Sequence, residues 1–206
     1  GWECESEITA IDEKAVQAVV QRKQLGSGEP RTKITLFQSM LKGERFDYVL
    51  QKCTEIGVVE FVPVISERCI VGDVDQASER FRRWQRIITE AAEQAYRSRL
   101  PALRAPTLLS SALETASPRG LTIIAWEEER ATSLAAVLAA HTVPPPAERA
   151  TTARKKASPP EPRRPFGINV FIGPEGGFAA GEIAIARQYG ATPVTLGPRL
   201  LRAETA

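Results

Sequence analysis

Apolar residues recur along the chain with two spacings, one of two residues and one close to 3.6 residues. The segment WECESEITAI, directly after Gly1, alternates apolar or small residues with glutamates, and this period of two is typical of a strand. A second short strand is predicted at 15–20, before the turn-rich segment LGSGEP. Because two or three strands cannot bury a core by themselves, we expect residues 1–29 to be the remnant of a small β domain whose beginning is absent.

Strands and helices alternate in the rest of the chain. The pattern predicts strands at 33–38, 58–65, 121–126, 168–172 and 193–196. It predicts helices at 42–56, 111–115, 134–140 and 180–189, and a long helix that carries Phe81, Trp84 and Ile88. Pro63 indicates that its strand lies at an edge or ends there. The alternation predicts an α/β domain with a largely parallel sheet over residues 30–206.

Residues 142–166 interrupt this pattern. The segment TVPPPAERATTARKKASPPEPRRPF is rich in proline and basic residues and has no hydrophobic periodicity. We interpret it as a flexible insertion in the domain. Its basic residues could contact nucleic acid, but the composition favours a solvated linker.

Composition narrows the class of protein. At 206 residues, 43% hydrophobic and 25% charged, the chain resembles soluble globular proteins, and no apolar run is long enough to span a membrane. The beginning of the chain has no signal-peptide pattern. The three cysteines, Cys4, Cys53 and Cys69, have no C-x-x-C spacing, which argues against a disulfide framework or a zinc site and favours the reducing cytoplasm. The single histidine, His141, borders the proline-rich tract, which argues against a Ser-His-Asp triad.

Glycines and a proline follow the strand at 168–172. In INVFIGPEGGF, Gly173, Gly176 and Gly177 permit backbone conformations or close approaches that a Cβ would obstruct. Ligands bind at this end of the strands in open α/β sheets. The spacing fits neither a dinucleotide fingerprint nor a P-loop, and Glu175 would repel a polyphosphate but suit a ligand with donor groups or positive charge. A tight turn without any ligand is the alternative.

A second loop of the same kind follows the strand at 193–196. The segment LGPRLLRAET again places Gly-Pro after a strand and then offers Arg202 and Glu204 in an apolar setting. Two such loops after consecutive strands would form opposite walls of one pocket.

Several blocks together resemble a known family. FIGPEGGF followed by TLGPRLLRAETA, together with LKGERFDYVLQKCTEIGV, ISERCIV and RRWQRIITEAAEQAYRSRLP upstream, is similar to the RsmE family, ribosomal RNA uridine methyltransferases of the SPOUT class. The resemblance covers most of the chain outside 142–166, with the blocks in family order.

The resemblance implies a fold, an activity and partners. The fold is a SPOUT-type parallel sheet with a carboxyl-terminal trefoil knot, preceded by a PUA-like β-barrel that assists RNA binding, of which residues 1–29 would be a remnant. Relatives continue beyond Ala206 into a helix that completes the knot, so the knot can be incomplete here. The implied activity is transfer of a methyl group from S-adenosylmethionine to N3 of one uridine in 16S ribosomal RNA of the small subunit, by a cytoplasmic homodimer.

The resemblance also assigns candidate site residues. Backbone and side-chain groups of the two loops would hold S-adenosylmethionine: Ile172, Gly173, Pro174, Glu175, Gly176, Gly177, Leu196, Gly197, Leu201, Arg202 and Ala203. Because uracil N3 must lose or share its proton before it can attack, our hypothesis is that Arg202 faces a uracil oxygen and that Glu204 acts as base or positioning group, with Glu175 and Glu127 as competing bases. An Arg202–Glu204 ion pair that only braces the loop is the structural alternative. No metal is expected.

Two arginines that follow the long helix are candidate RNA contacts. Arg97 and Arg99 belong to an arginine-rich region that could contact phosphates or could simply form a solvated helix face. Trp84, by contrast, lies on the apolar stripe of its helix and is predicted to be core.

Two alternatives stay open at this point. The chain could be a SPOUT methyltransferase with a different RNA target, or a noncatalytic RNA-binding or dimerisation fragment. It also departs from the family pattern after GPEGGF, where Ala179, Ala180 and Gly181 replace Ser-Glu-Glu. Loss of a serine N-cap costs about 1 kcal/mol, although Glu182 still favours the start of the helix.

Overall fold

A computed structural model describes residues 1–26, 28–69, 77–141 and 167–206. The predicted flexible insertion at 142–166 lies outside these residues. Within the described ranges, no helix has both the length and the apolar composition needed to cross a membrane.

The chain begins with a two-stranded antiparallel hairpin. It consists of β1 (Trp2–Ile11) and β2 (Val16–Leu25). The second strand is longer than predicted because Leu25 pairs with Trp2 and keeps the ladder going to its end. Trp2, Ile8 and Val20 are all exposed, so the hairpin has uncovered apolar positions. The larger β domain around it stays a prediction.

The rest of the described chain alternates strands and helices. The strands are β3 (Lys33–Ser39), β4 (Glu60–Ile65), β5 (Ala102–Leu103), β6 (Thr107–Leu108), β7 (Leu121–Ala125), β8 (Gly167–Ile172) and β9 (Thr192–Val194). The helices are α1 (Arg45–Glu55), α2 (Ala77–Gln94), α3 (Leu109–Ala116), α4 (Leu134–Ala140) and α5 (Ala180–Gln188). The predicted elements are present, with ends that differ by a few residues.

One parallel sheet organises this region. Its strand order is β5-β4-β3-β8-β7-β9, and β6 also pairs with β4. Every pairing in it is parallel, which confirms the predicted α/β class. Because β8 enters between β3 and β7, the carboxyl ends of strands that are distant in sequence meet at one edge of the sheet.

Pro63 does not mark a sheet edge, contrary to the sequence interpretation. β4 pairs with β3 on one side and with both β5 and β6 on the other. On that second side, β5 pairs with Glu60 and Phe61, and β6 pairs with Val64 and Ile65. The proline lies between these two short ladders, where no N–H is needed, so an interrupted neighbour accommodates it.

Helices cover both faces of the sheet, and successive residues of β3 point to opposite cores. Phe37 lies on the α3 and α5 side, where it stacks on Phe171 with ring centroids 4.3 Å apart. Leu36 lies on the α1 and α2 side with Leu50 and Trp84. Trp84 is 5% exposed, so its prediction as core is confirmed.

Candidate functional site

A cavity lies at the carboxyl edge of the sheet. Its volume is about 810 Å³, within the range of roughly 300–1,000 Å³ of small-molecule sites. Its walls are residues 125–127 after β7, 172–177 after β8 and 195–204 after β9, with Arg45 of α1 and Arg130. The structure therefore brings every predicted cofactor and catalytic residue, Glu127 included, to one place.

The glycines after β8 are partly explained by packing within the loop. The Gly177 amide donates to the Pro174 carbonyl at 2.9 Å, and the φ of Gly177 is +67°, a conformation that other residues adopt at a cost. A Cβ on Gly173 would lie 3.2 Å from the ring of Phe178, which is buried. At these two positions, a tight turn and close internal packing favour glycine whether or not a ligand binds.

Contacts from the segment after β4 fix the position of this loop. The buried carboxylate of Glu182 accepts hydrogen bonds from the amides of Glu67 at 2.8 Å and Ala179 at 2.9 Å. Arg68 donates to the Gly176 carbonyl at 2.7 Å. The methyl side chain of Ala179, the N-cap residue, cannot accept a hydrogen bond from the first turn of α5. Glu182, three residues later, instead accepts a hydrogen bond from the backbone amide of Ala179. The spacing of Glu182 from Ala179 was the sequence signal for this contact, and the sequence interpretation missed its full role.

Glu175 is held by α1 and by the residues before it. Its carboxylate accepts hydrogen bonds from the Lys42 amide at 3.1 Å and from Arg45 at 2.8 Å. Burial opposes ionisation of Glu175, but hydrogen bonds from its own amide and the Lys42 amide, together with the Arg45 guanidinium, outweigh it and lower the pKa of the carboxyl. A carboxylate with a lowered pKa is a weak proton acceptor, so this geometry does not favour Glu175 as the base.

Arg45 joins the two loops, a contact that sequence reasoning did not anticipate. Besides Glu175, its guanidinium lies 3.8 Å from the carboxylate of Glu204. Glu204 also lies 4.0 Å from Arg202. The Arg202 side chain is 82% exposed, whereas that of Glu204 is 16% exposed. The ion pair predicted as the structural alternative is therefore present, and the guanidinium of Arg202 still faces solvent.

The two predicted RNA contacts lie at the other end of the sheet. They precede β5, whose Ala102 pairs with Glu60 at the beginning of β4, so they lie at the amino end of the strands. Arg97 is buried: its side chain is 5% exposed, and it donates to Glu29 at 2.8 Å and to the carbonyls of Thr54 and Val58. This placement argues against Arg97 as an RNA contact, because its guanidinium is already bonded and shielded. Arg99 is exposed and stays a candidate.

Comparisons with known proteins agree with this architecture. Residues 28–206 match the RNA methyltransferase domain family. Among curated proteins, ribosomal RNA small subunit methyltransferase E of Synechocystis is 33% identical over 174 residues, which are 84% of this chain and 50% of that protein. The protein of that name from Mesomycoplasma hyopneumoniae is 30% identical over 193 residues, 92% of this chain and 72% of that protein. The chain thus spans half the length of the first of these relatives.

A solved structure of a member of the same family is also similar to this chain. The structure of ribosomal RNA small subunit methyltransferase E from Neisseria gonorrhoeae bound to S-adenosyl methionine aligns with a TM-score of 0.79 and 31% identity. The alignment covers 100% of this chain and 75% of that one.

Proposed function

Because the chain belongs to the ribosomal RNA small subunit methyltransferase E family, we propose that it methylates 16S ribosomal RNA of the small subunit at N3 of one uridine, with S-adenosylmethionine as the methyl donor. The observation that carries the proposal is the convergence of both Gly-Pro loops on one cavity. The N3 position of uridine comes from the family resemblance.

The cavity fits the proposed donor. It is large enough for a nucleoside with an amino-acid tail, and its walls combine a glycine-rich backbone with carboxylates that suit a positively charged ligand. Backbone groups of 172–177 and of Leu196, Gly197, Leu201 and Ala203 would hold it. When bound, S-adenosylmethionine supplies an electrophilic methyl carbon on a sulfonium sulfur.

Uracil N3 carries a proton and becomes a useful nucleophile only when that proton is removed or shared. The guanidinium of Arg202 is exposed and lines the cavity, and in this proposal it donates to a uracil oxygen and stabilises the negative charge that develops on the ring. Orientation of the two reactants can supply much of the remaining rate enhancement. The target base has to leave its stack for N3 to enter the cavity.

Glu204 takes the role of base or positioning group. Its contacts with Arg45 and Arg202 hold it between the loops, and its Oε2 atom is buried without a hydrogen-bond partner among the described residues. That oxygen retains the capacity to accept a proton. Glu175 is left with a structural role because Arg45 and two amides already occupy it.

The proposal extends to a trefoil knot, a homodimer, a PUA-like barrel and a cytoplasmic location. The insertion of β8 between β3 and β7 and the meeting of its loop with 195–204 are compatible with a knot. The uncovered apolar positions of the β1–β2 hairpin support a larger β fold around it. Light scattering would test the dimer by giving the molar mass in solution.

The decisive experiment measures methyl incorporation into undermodified small subunits and maps the methylated nucleotide. We expect Arg202→Ala to abolish turnover while leaving the dissociation constant for S-adenosylmethionine nearly unchanged, because its guanidinium acts on the uracil. Arg187→Ala, which removes another exposed arginine on α5 outside the cavity, is the matched control and should retain activity. Equal loss of turnover and donor binding in Arg202→Ala would make Arg202 a structural residue. A methyl group at a different nucleotide would change the target, and no incorporation by the unsubstituted chain would support the noncatalytic alternative.

A further inference from the structure

The carboxylates that line the cavity differ in whether a cation already neutralises them. Glu175 bonds to Arg45 at 2.8 Å, and Glu204 lies 3.8 Å from Arg45 and 4.0 Å from Arg202. Glu127 lines the same cavity, yet in the described part of the chain its carboxylate has neither an ion pair nor a hydrogen bond. Glu127 therefore contributes a carboxylate without a close cationic partner, although Arg130 and Arg199 also line the cavity.

This charge lies directly against the bend after β8. A Cβ built on Gly177 would be 2.0 Å from Oε1 of Glu127, so the carboxylate occupies the space that the missing side chain leaves. Glu127 itself follows β7, two residues after Ala125. The Glu127 carboxylate thus belongs to the loop after β7 and lies beside the backbone of the loop after β8. A ligand bound by residues 172–177 would lie close to it.

Resting on the proposed function, we infer that Glu127 binds a cationic group of the methyl donor, its sulfonium or its α-ammonium. Glu127 is exposed, so solvent and salt screen its charge, and its advantage over other surface carboxylates is its position on the cavity wall against the bend after β8. Glu175 and Glu204 are less able to attract a cationic ligand, because each already lies within 4.0 Å of an arginine. A contact with the sulfonium would also favour the donor over its demethylated product, because methyl transfer removes that charge.

Calorimetric titration of the 206-residue chain with S-adenosylmethionine and S-adenosylhomocysteine tests this inference. Glu127→Gln removes the charge and keeps the shape, and we expect it to weaken S-adenosylmethionine binding by about threefold to fivefold, as for other exposed ion pairs. If the partner is the sulfonium, the affinity for S-adenosylhomocysteine stays unchanged; if it is the α-ammonium, both affinities fall by the same factor. The difference from the unsubstituted chain should shrink as salt is added, because salt screens partly exposed charges.

The neighbouring Glu128→Gln is the matched control. Glu128 is exposed, as Glu127 is, but it does not line the cavity, so this variant should bind both ligands like the unsubstituted chain. Thermal unfolding of both variants checks that their folds are intact. The inference is overturned if Glu127→Gln keeps the unfolding midpoint and also keeps full affinity for S-adenosylmethionine, or if Glu128→Gln weakens binding equally. Failure of the unsubstituted chain to bind either ligand would instead refute the proposed function, and this inference with it.

Discussion

Substitution of Arg97 separates a structural brace from an RNA contact. Its guanidinium is 5% exposed, donates to Glu29 at 2.8 Å and also bonds the Thr54 and Val58 carbonyls. Arg97→Ala removes the cation that pairs with the largely buried Glu29 carboxylate and the hydrogen bonds to two carbonyls, although the Arg99 amide still donates to Glu29 and the Gly57 amide still donates to Thr54. Removal of one partner of a buried ion pair typically costs about 3–5 kcal/mol. Since 1 kcal/mol shifts the midpoint by about 2–4 °C in a protein of this size, we expect the midpoint to fall by roughly 6–20 °C.

Arg99→Ala is the matched control, only two residues away. The Arg99 side chain is exposed, and its amide, which the substitution preserves, donates to Glu29 at 3.2 Å. A surface substitution of this kind usually changes stability by less than about 0.5 kcal/mol. Urea unfolding of both variants gives the free energies. RNA titrations over a range of salt concentrations, at a temperature where both variants are folded, give the number of phosphate contacts.

The free energy of unfolding and the salt dependence of RNA binding should respond differently to the two substitutions. Arg97→Ala loses stability and keeps the salt dependence of RNA binding, whereas Arg99→Ala keeps stability and, if it contacts a phosphate, lowers the slope by about one unit. The reasoning is refuted if Arg97→Ala unfolds at the same urea concentration as Arg99→Ala. It is refuted equally if Arg97→Ala lowers the salt slope while its stability is unchanged.

Two further predictions concern a glycine and a carboxylate. Gly177→Ala should lower the free energy of unfolding by about 1–2 kcal/mol, because alanine adopts the φ of +67° at this position only at a cost. Gly181 lies in α5 with open space around it, so Gly181→Ala should raise the free energy of unfolding by about 0.5 kcal/mol. Chemical denaturation measures both values, and the opposite ranking of the two variants would contradict this prediction. The hydrogen bond from Arg97, opposed by burial, lowers the pKa of Glu29 in the folded protein, so its stabilisation is present above the unfolded pKa of about 4.3 and is lost as pH falls through the folded value. The stability difference between the unsubstituted chain and Glu29→Gln should therefore be largest near neutral pH and shrink in acid, and a difference that is constant down to pH 3 would count against the pair.

The hydrophobic pattern predicted β3, β4, β7, β8 and β9 because each contains a short apolar run between turn residues, but it missed β5 and β6, which have only two residues each. It could not give their order, since β8 pairs with β3 across most of the chain and no local signal records that partner. Pro63 shows the same difficulty: the missing N–H was read correctly, but the interruption between β5 and β6 that accommodates it depends on another segment.

The site was predictable where it depends on the backbone. Gly-Pro after a strand places a loop at the carboxyl edge, and both such loops line the cavity. Side-chain partners were not predictable in the same way. Arg97 looked like a surface arginine by its sequence neighbours, but burial against Glu29 gives it a different role. Arg45 was not singled out because its partners, Glu175 and Glu204, lie far along the sequence.

The pairing of β3 with β8 sets the order of events when the chain is made. The two strands are hydrogen-bonded neighbours, yet roughly 130 residues of translation separate them, which at about 5–20 residues per second takes roughly 6–26 s. Until β8 emerges, the ring of Phe37 lacks the ring of Phe171 on which it stacks, and the loops after β8 and β9 do not exist. Between the synthesis of β3 and that of β8, the nascent protein therefore carries an incomplete sheet, and the cavity at its carboxyl edge forms only after the loops that follow β8 and β9 have emerged.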